Sequence, residues 1–325
     1  RPTIGIPKKD ILTISENVGL HFSLEGLARI YEAGELKIVQ NLGYPNPVLS
    51  HFRSIELWET GGDGRAKGRG GWLNHSLNVM ENQSNLDGKA IYLDQSGDVF
   101  RGGLDGYYGP NSIGFAAAEL EARDQTVPVP ETFGLLADLM QGRKQNSEKL
   151  KQIQNKLSGA NRFSSIGRGN LGAQLSKVCN ILSKGINIPV LKVAIGSFDT
   201  HSEQFWRHRD LLRELDESLF ETVQALQDIG IWNDTVIMTY SEFGRRAAEN
   251  GSRGTDHGMA APHFLMGGKL KGGFVGKVPN LGILRNNNLE FEIDYRTVYE
   301  TVLREHFGLE DNPFQKFENK ALFSL

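Results

Sequence analysis

Residues 190–240 constrain the fold more than any other stretch of the chain. They open on Val190-Leu191-Lys192-Val193-Ala194-Ile195-Gly196, an almost unbroken apolar run. Residues 205–229 then place Leu211, Leu212, Leu215, Leu219, Val223 and Leu226 on one stripe of a long amphipathic helix. Residues 235–240 are apolar again. A strand without in-and-out alternation is buried on both faces, and a helix between two strands is the usual crossover of a parallel pair. Residues 36–42 and 262–266 read as further strands. Residues 24–34, 52–58, 72–79 and 294–307 read as helices. The expectation is an α/β fold, a mostly parallel sheet sandwiched by helices, in one domain over residues 1–325. Within it, residues 131–141, 147–157 and 173–183 read as successive helices around a polar stretch at 142–170. Residues 131–184 are therefore expected to form a helical cap or insertion.

Composition removes several classes. The 325 residues carry a net charge of -3, so no basic footprint for nucleic acid is expected. A single cysteine, Cys179, rules out an internal disulfide scaffold and a cysteine metal cluster. No run of 18 apolar residues is present, so no membrane-spanning helix is expected. The chain opens on Arg1-Pro2-Thr3 with neither a Met nor an export signal, which reads as a processed or truncated start.

In an open α/β sheet, ligands bind beyond the carboxyl ends of the strands. Ser50-His51 follows the first strand, Asp199-Thr200-His201 another, and Glu242 with Arg245 a third. A Gly-rich loop then brings Asp256-His257. If the strands are parallel, all of these share one rim. Asp199 and His201 suit a divalent cation such as zinc or manganese, or are a turn carboxylate and a helix-start histidine. Thr200-x-x-Glu203 resembles a capping box that would start the long helix at Thr200. Glu242 can ligate a metal or pair with Arg245 or Arg246. Asp256-His257 is a second carboxylate–imidazole pair or a simple turn. Ser50 is a helix cap, or a nucleophile in the positive field of a helix N-terminus. Arg65 and Arg69 sit in a Gly-rich loop that could grip an anion or be plain solvated surface. That loop lacks the Gly-Lys-Ser/Thr ending of a P-loop, and no Gly-x-Ser-x-Gly elbow is present.

Gly43-Tyr44-Pro45-Asn46-Pro47, Ser50-His51-Phe52, Phe198-Asp199-Thr200-His201, Ser241-Glu242-Phe243-Gly244-Arg245, Gly254-Thr255-Asp256-His257-Gly258 and Asp294-x-Arg296-x-x-Tyr299 occur in one order. Together they resemble the bacterial family called domain of unknown function 1501, over about residues 1–310, within the alkaline-phosphatase/sulfatase superfamily. That resemblance implies an alkaline-phosphatase-like fold and a metal-dependent hydrolase of phosphate or sulfate esters. It implies Ser50 as nucleophile, and Asp199, His201, Glu242 and His257 as ligands of zinc, manganese or calcium. Arg245 would neutralise the substrate, with His51, Arg65, Arg69 and Asp256 around it. The expected substrate is an anionic ester, carbohydrate-derived esters included. Phe243 stands where many members have a histidine, which bears on a two-metal centre. A strand that usually opens the site would precede Arg1. Export signals in the family imply a periplasmic or secreted location. The rivals are a non-catalytic relative in an exported assembly and a metal-free carbohydrate esterase using Ser50.

Overall fold

The computed structural model describes residues 1–66, 68, 70–81, 85–103, 105–110, 134–310 and 314, without the side chains of residues 81 and 134–143. The strands in chain order are β1 (Leu12–Thr13), β2 (Gly19–Leu20), β3 (Leu36–Gly43), β4 (Ala90–Tyr92), β5 (Tyr107–Tyr108), β6 (Val190–Lys192), β7 (Ile237–Met238), β8 (Gly244–Arg245), β9 (His257–Gly258), β10 (Ala261–Met266), β11 (Gly273–Val275) and β12 (Ile293–Asp294). The helices are α1 (Glu25–Glu32), α2 (His51–Thr60), α3 (Trp72–Glu81), α4 (Gly134–Leu157), α5 (Gly169–Ser183), α6 (Gln204–Ile229) and α7 (Tyr295–Thr301). Among the described residues, no helix is long and apolar enough to cross a membrane.

The expected parallel sheet sandwiched by helices, of alkaline-phosphatase type, is not what forms. The main sheet is mixed, ordered β11-β3-β10-β7 with β12 also on β3. β10 runs antiparallel to both β3 and β7, while β11 and β12 run parallel to β3. The only parallel sheet among the described residues has three strands, β5-β4-β6. Two antiparallel pairs, β1-β2 and β8-β9, complete the set. The misreading has a physical cause. An apolar run reports burial on both faces and carries no information about direction. β3 is buried at all eight positions although its neighbour β10 is antiparallel. Pro262, which has no N–H to donate, falls where the β10 register shifts.

Other elements also shift. The run 190–196 forms strand only as far as Lys192. Beyond it, the Gln174 side chain takes the place of a partner strand, accepting from Ala194 N–H at 3.0 Å and donating to Ala194 O at 2.8 Å. Residues 134–157 make one helix rather than two, and residues 131–133 lie outside the described set. The long helix starts at Gln204, not Thr200, and the capping box is not formed. The Thr200 hydroxyl instead contacts the Phe198 carbonyl at 3.4 Å.

Two layers of core hold the main sheet. On one side α1, α5 and α6 pack Leu27, Ile30, Leu175, Leu219, Val223 and Leu226 against Leu36, Ile38 and Met266. On the other, α2, α3 and α7 stack aromatic rings. Trp58 lies on Tyr295 at 4.2 Å and Trp72 on Tyr299 at 4.1 Å. The Tyr295 hydroxyl lies 2.7 Å from both the Leu57 and Gly62 carbonyls at the end of α2.

A buried ionic cluster joins the small parallel sheet to α2. Lys192, at the end of β6, places its ammonium 3.3 Å from Glu59 of α2, donates to Ser96 O at 2.6 Å, and bonds Asp94. Ser96 Oγ donates to Glu59 at 3.0 Å. Glu59 is 2% exposed. Removing the ammonium strands two carboxylates in the interior. Lys192→Met should therefore cost about 3–5 kcal/mol in urea unfolding; a loss below about 1 kcal/mol, the range of surface pairs, would contradict this assignment.

His263 in β10 sets a pH dependence. Burial lowers its pKa from 6.5 to about 4. Between those values the unfolded chain binds a proton that the folded chain does not. Its share of stability is complete above pH 6.5 and falls as the pH drops toward 4, by about 3 kcal/mol at 1.36 kcal/mol per unit. His263→Gln should flatten that slope in urea midpoints measured from pH 7.5 to 4; an unchanged slope would exclude His263 as its source.

Candidate functional site

The polar rim survives the change of fold. β3 and β7 are each antiparallel to β10, so they point the same way and end at the same edge. The residues after β3, the residues after β7 and those before β10 meet there. Tyr44, just past β3, shapes the turn: its hydroxyl lies 3.0 Å from both Val48 N and Val48 O and 2.8 Å from Ser54 Oγ. Ser50 then stands at the N-cap of α2 in extended conformation, and its hydroxyl makes no cap bond. His51 is the first helical residue.

The hairpin β8-β9 pairs Arg245 with His257 and Gly244 with Gly258. Glycine is required at both of its close approaches. A Cβ at Gly244 would lie 1.9 Å from Ala260 O, and one at Gly258 would lie 2.4 Å from the Arg245 backbone. Residues 200–204 lie along residues 252–256, with Thr255 N–H donating to Thr200 O at 3.2 Å and Gln204 N–H to Arg253 O at 2.9 Å. Asp199, His201, Asp256 and His257 are thereby brought to one place.

Asp199 is the hub. His51 Nε2 lies 3.2 Å from its Oδ2, and His257 Nε2 and His201 Nε2 lie 3.0 and 2.8 Å from its Oδ1. Arg245 donates to the same oxygen at 2.6 Å. Each imidazole is held from behind through Nδ1. The acceptors are Glu242 Oε1 at 2.8 Å for His51, the Leu49 carbonyl at 2.9 Å for His257, and Asp256 Oδ1 at 3.3 Å for His201. An acceptor on Nδ1 keeps the proton of a neutral ring there and leaves the Nε2 lone pair facing the hub. His201 Nε2 and His257 Nε2 are then 3.0 Å apart, both against a carboxylate. Electron-rich atoms this close call for a cation or a proton between them. One ligand atom each from His51, Asp199 and His257 lies within 4.8 Å of the others, and this donor set suits a divalent transition metal.

Where protons instead of a cation fill that space, burial pulls the Asp199 pKa upward, but hydrogen bonds from Arg245 and His257 and the charge of a protonated His201 outweigh it and hold the carboxyl at about 2. Asp256 is also held below the ordinary range, first by the Asn250 amide and then by His201 against the opposing effect of burial.

The structure distributes the predicted residues unevenly. His51, Asp199, His201, Glu242, Arg245, Asp256 and His257 form one connected set. Glu242 is engaged by His51 and, at 3.1 Å, by the Ser241 hydroxyl. Arg245 is bound to Asp199, to Thr255 Oγ1 at 3.1 Å and to the Thr255 carbonyl. Ser50 is next in the chain to His51. Arg65 is exposed in its loop, its backbone N–H donating to Asp63 at 3.0 Å, and no bond among the described residues joins it to the cluster. Arg69 lies outside the described residues. Sequence reasoning missed Asn250, which donates to His201 O at 3.0 Å and Asp256 at 3.2 Å. It also missed the Leu49 carbonyl, for which no residue type could have been a signal. Phe243 stacks on His257 at 4.0 Å and lies 4.8 Å from His51.

Arg245→Ala should raise the Asp199 pKa from about 2 toward its ordinary 3.8. Asp199 contributes stability above about pH 4 that fades as the pH falls toward 2, and in the variant, where the folded and unfolded pKa approach each other, that contribution and its pH dependence should shrink toward zero. Carboxyl-carbon NMR titration reads the shift; an unmoved midpoint would show that Arg245 does not set it.

A family model described as protein of unknown function (DUF1501) matches residues 117–317. The matched range includes Asp199, His201, Glu242, Arg245, Asp256 and His257 and does not reach Ser50 and His51. No curated protein matches the sequence.

Proposed function

The chain belongs to the DUF1501 family, and on that premise we propose that it is a metal-dependent hydrolase of phosphate or sulfate esters with Ser50 as nucleophile. The observation that carries the reading is the convergence of three imidazole Nε2 atoms on the Asp199 carboxylate, each ring held through Nδ1. His51, Asp199 and His257 would hold one divalent cation, with His201 beside them. Imidazoles favour zinc or manganese over calcium. Such a cation would supply Lewis-acid polarisation of the ester oxygens and stabilise a serine alkoxide. Phe243 against His257 fills a flank of the cluster with an apolar ring, which favours one cation over two. The ordered motifs also resemble the alkaline-phosphatase/sulfatase superfamily, and the export signals of the DUF1501 family support a periplasmic or secreted location.

The chain's own residues divide the work. Ser50 Oγ, free of a capping role, attacks the phosphorus or sulfur. The Ser50 hydroxyl proton passes to solvent as the seryl phosphate or sulfate forms, the ester bond breaks and the alcohol departs with a proton from solvent; water then hydrolyses the seryl ester, restoring the serine hydroxyl and releasing phosphate or sulfate. The N–H groups of the first turn of α2 would face ester oxygens with the positive end of the helix dipole. Glu242 and Asp256 keep the His51 and His201 rings in one tautomer and orientation. Arg245 holds Asp199 ionised.

The test uses chelator-treated protein reloaded with zinc, manganese or calcium and supplied with aryl phosphates and aryl sulfates. Turnover with at least one metal and one ester is expected. Ser50→Ala should lower kcat by about a thousandfold or more while calorimetry still detects the metal; Asp199→Ala and His257→Ala should lose the metal. Absence of turnover across the whole panel would overturn the hydrolase reading, and full activity in Ser50→Ala would remove Ser50 as nucleophile.

A further inference from the structure

The two segments that build the site continue past it. Residues 200–204 and 252–256 run along each other, and His201 and Asp256 mark one end. At the other end is a cavity of about 240 Å³ lined by Thr3, Ile4, Glu203, Phe205, Trp206 and Arg253. Arg253 and Asp256 are three residues apart, at most about 10 Å of extended chain.

The lining has a particular chemistry. Trp206 is 56% exposed on the first turn of α6, whereas Trp58, Trp72 and Trp232 are 2%, 5% and 4% exposed. Phe205 stands edge-on to Trp206 at 4.9 Å, Phe22 lies 6.3 Å from Phe205, and the Arg209 guanidinium sits 4.9 Å from the Trp206 ring. Glu203 and Arg253 are ion-paired at the same mouth. Glu203 only accepts hydrogen bonds and Arg253 only donates them. A pyranose ring presents the complement: an apolar C–H face for an aromatic ring, and adjacent hydroxyls that each donate and accept. A planar aromatic ligand would use the tryptophan and leave the charged pair idle.

We propose that this cavity is a pyranose-binding subsite, and that the chain acts on anionic esters carried by a short oligosaccharide. Trp206 holds a sugar ring next to the one that bears the ester. The subsite stands on its own observations; its coupling to ester cleavage rests on the hydrolase reading.

All four tryptophans emit, but the other three are buried, so a ligand-induced change in steady-state fluorescence reports on Trp206. The purified full chain is titrated with maltotriose, cellotriose, a sulfated chondroitin tetrasaccharide and, as the uncharged aromatic control, toluene. A saturable blue shift or quench with at least one saccharide and none with toluene is expected. Trp206→Ala should weaken the binding, followed by calorimetry, by about tenfold. Glu203→Gln and Arg253→Ala should each weaken it several-fold, and His257→Ala should leave it intact. No saturable response to any saccharide, or a response to toluene alone, overturns the subsite even if aryl esters are hydrolysed. Saccharide binding lost in Trp206→Ala, without turnover of any ester, upholds the subsite and defeats the coupling to hydrolysis.

Discussion

The buried ammonium of Lys192 is the interaction on which the site depends most. Asp199 follows the small parallel sheet, and His51 opens a helix packed on the main sheet. These belong to different sheets, so no ladder of backbone hydrogen bonds fixes their separation. Lys192 reaches Glu59 on α2 and Asp94 and Ser96 beyond β4. Apolar packing tolerates sliding, because it has little direction. A desolvated ion cluster does not, because each displaced charge stays in a low-dielectric interior without its partner. Trp58 ties α2 separately to the main sheet, its indole N–H donating to the Glu242 carbonyl beyond β7 at 3.0 Å. Metal-binding geometry demands this kind of precision.

Around the hub, the order of contacts explains why so many charged residues share one rim. Asp199 faces three imidazoles and a guanidinium, and each imidazole is backed by an acceptor of its own. The backing groups come from three separate parts of the chain: Leu49 before α2, Glu242 after β7 and Asp256 before β9. A shift in any one of these segments turns an imidazole away from the hub. The proposed sugar subsite is built from the continuation of two of the same segments.

Much of the local structure was legible. Ser50 before an amphipathic run marked the start of α2, and Gly61 in the left-handed region at φ 73° ends it. The stripe from Leu211 to Leu226 marked the long helix to within a residue of its observed bounds. The region around residue 194 was misread, because a glutamine side chain can satisfy a backbone that sequence assigns to a sheet. The site residues were legible as types, since each follows a strand or sits in a Gly-rich loop. Their division of labour was not. Glu242 behind His51, and His51 as a candidate ligand beside Asp199 instead of a substrate contact, follow from contacts between distant residues, 191 positions apart in the first case.

What the sequence by itself determined is short-range: which runs are buried, where helices begin, and which side chains of the rim carry usable chemistry. Strand direction, the split into two sheets and the choice of which histidine faces Asp199 were decided only by the tertiary structure. The reason is that burial and helix periodicity are properties of a window of residues, whereas direction and ligand geometry depend on where distant segments come to rest. β3 and β7 share a direction only because β10 runs between them the other way, and that single reversed strand both ends the parallel-sheet expectation and keeps the rim together.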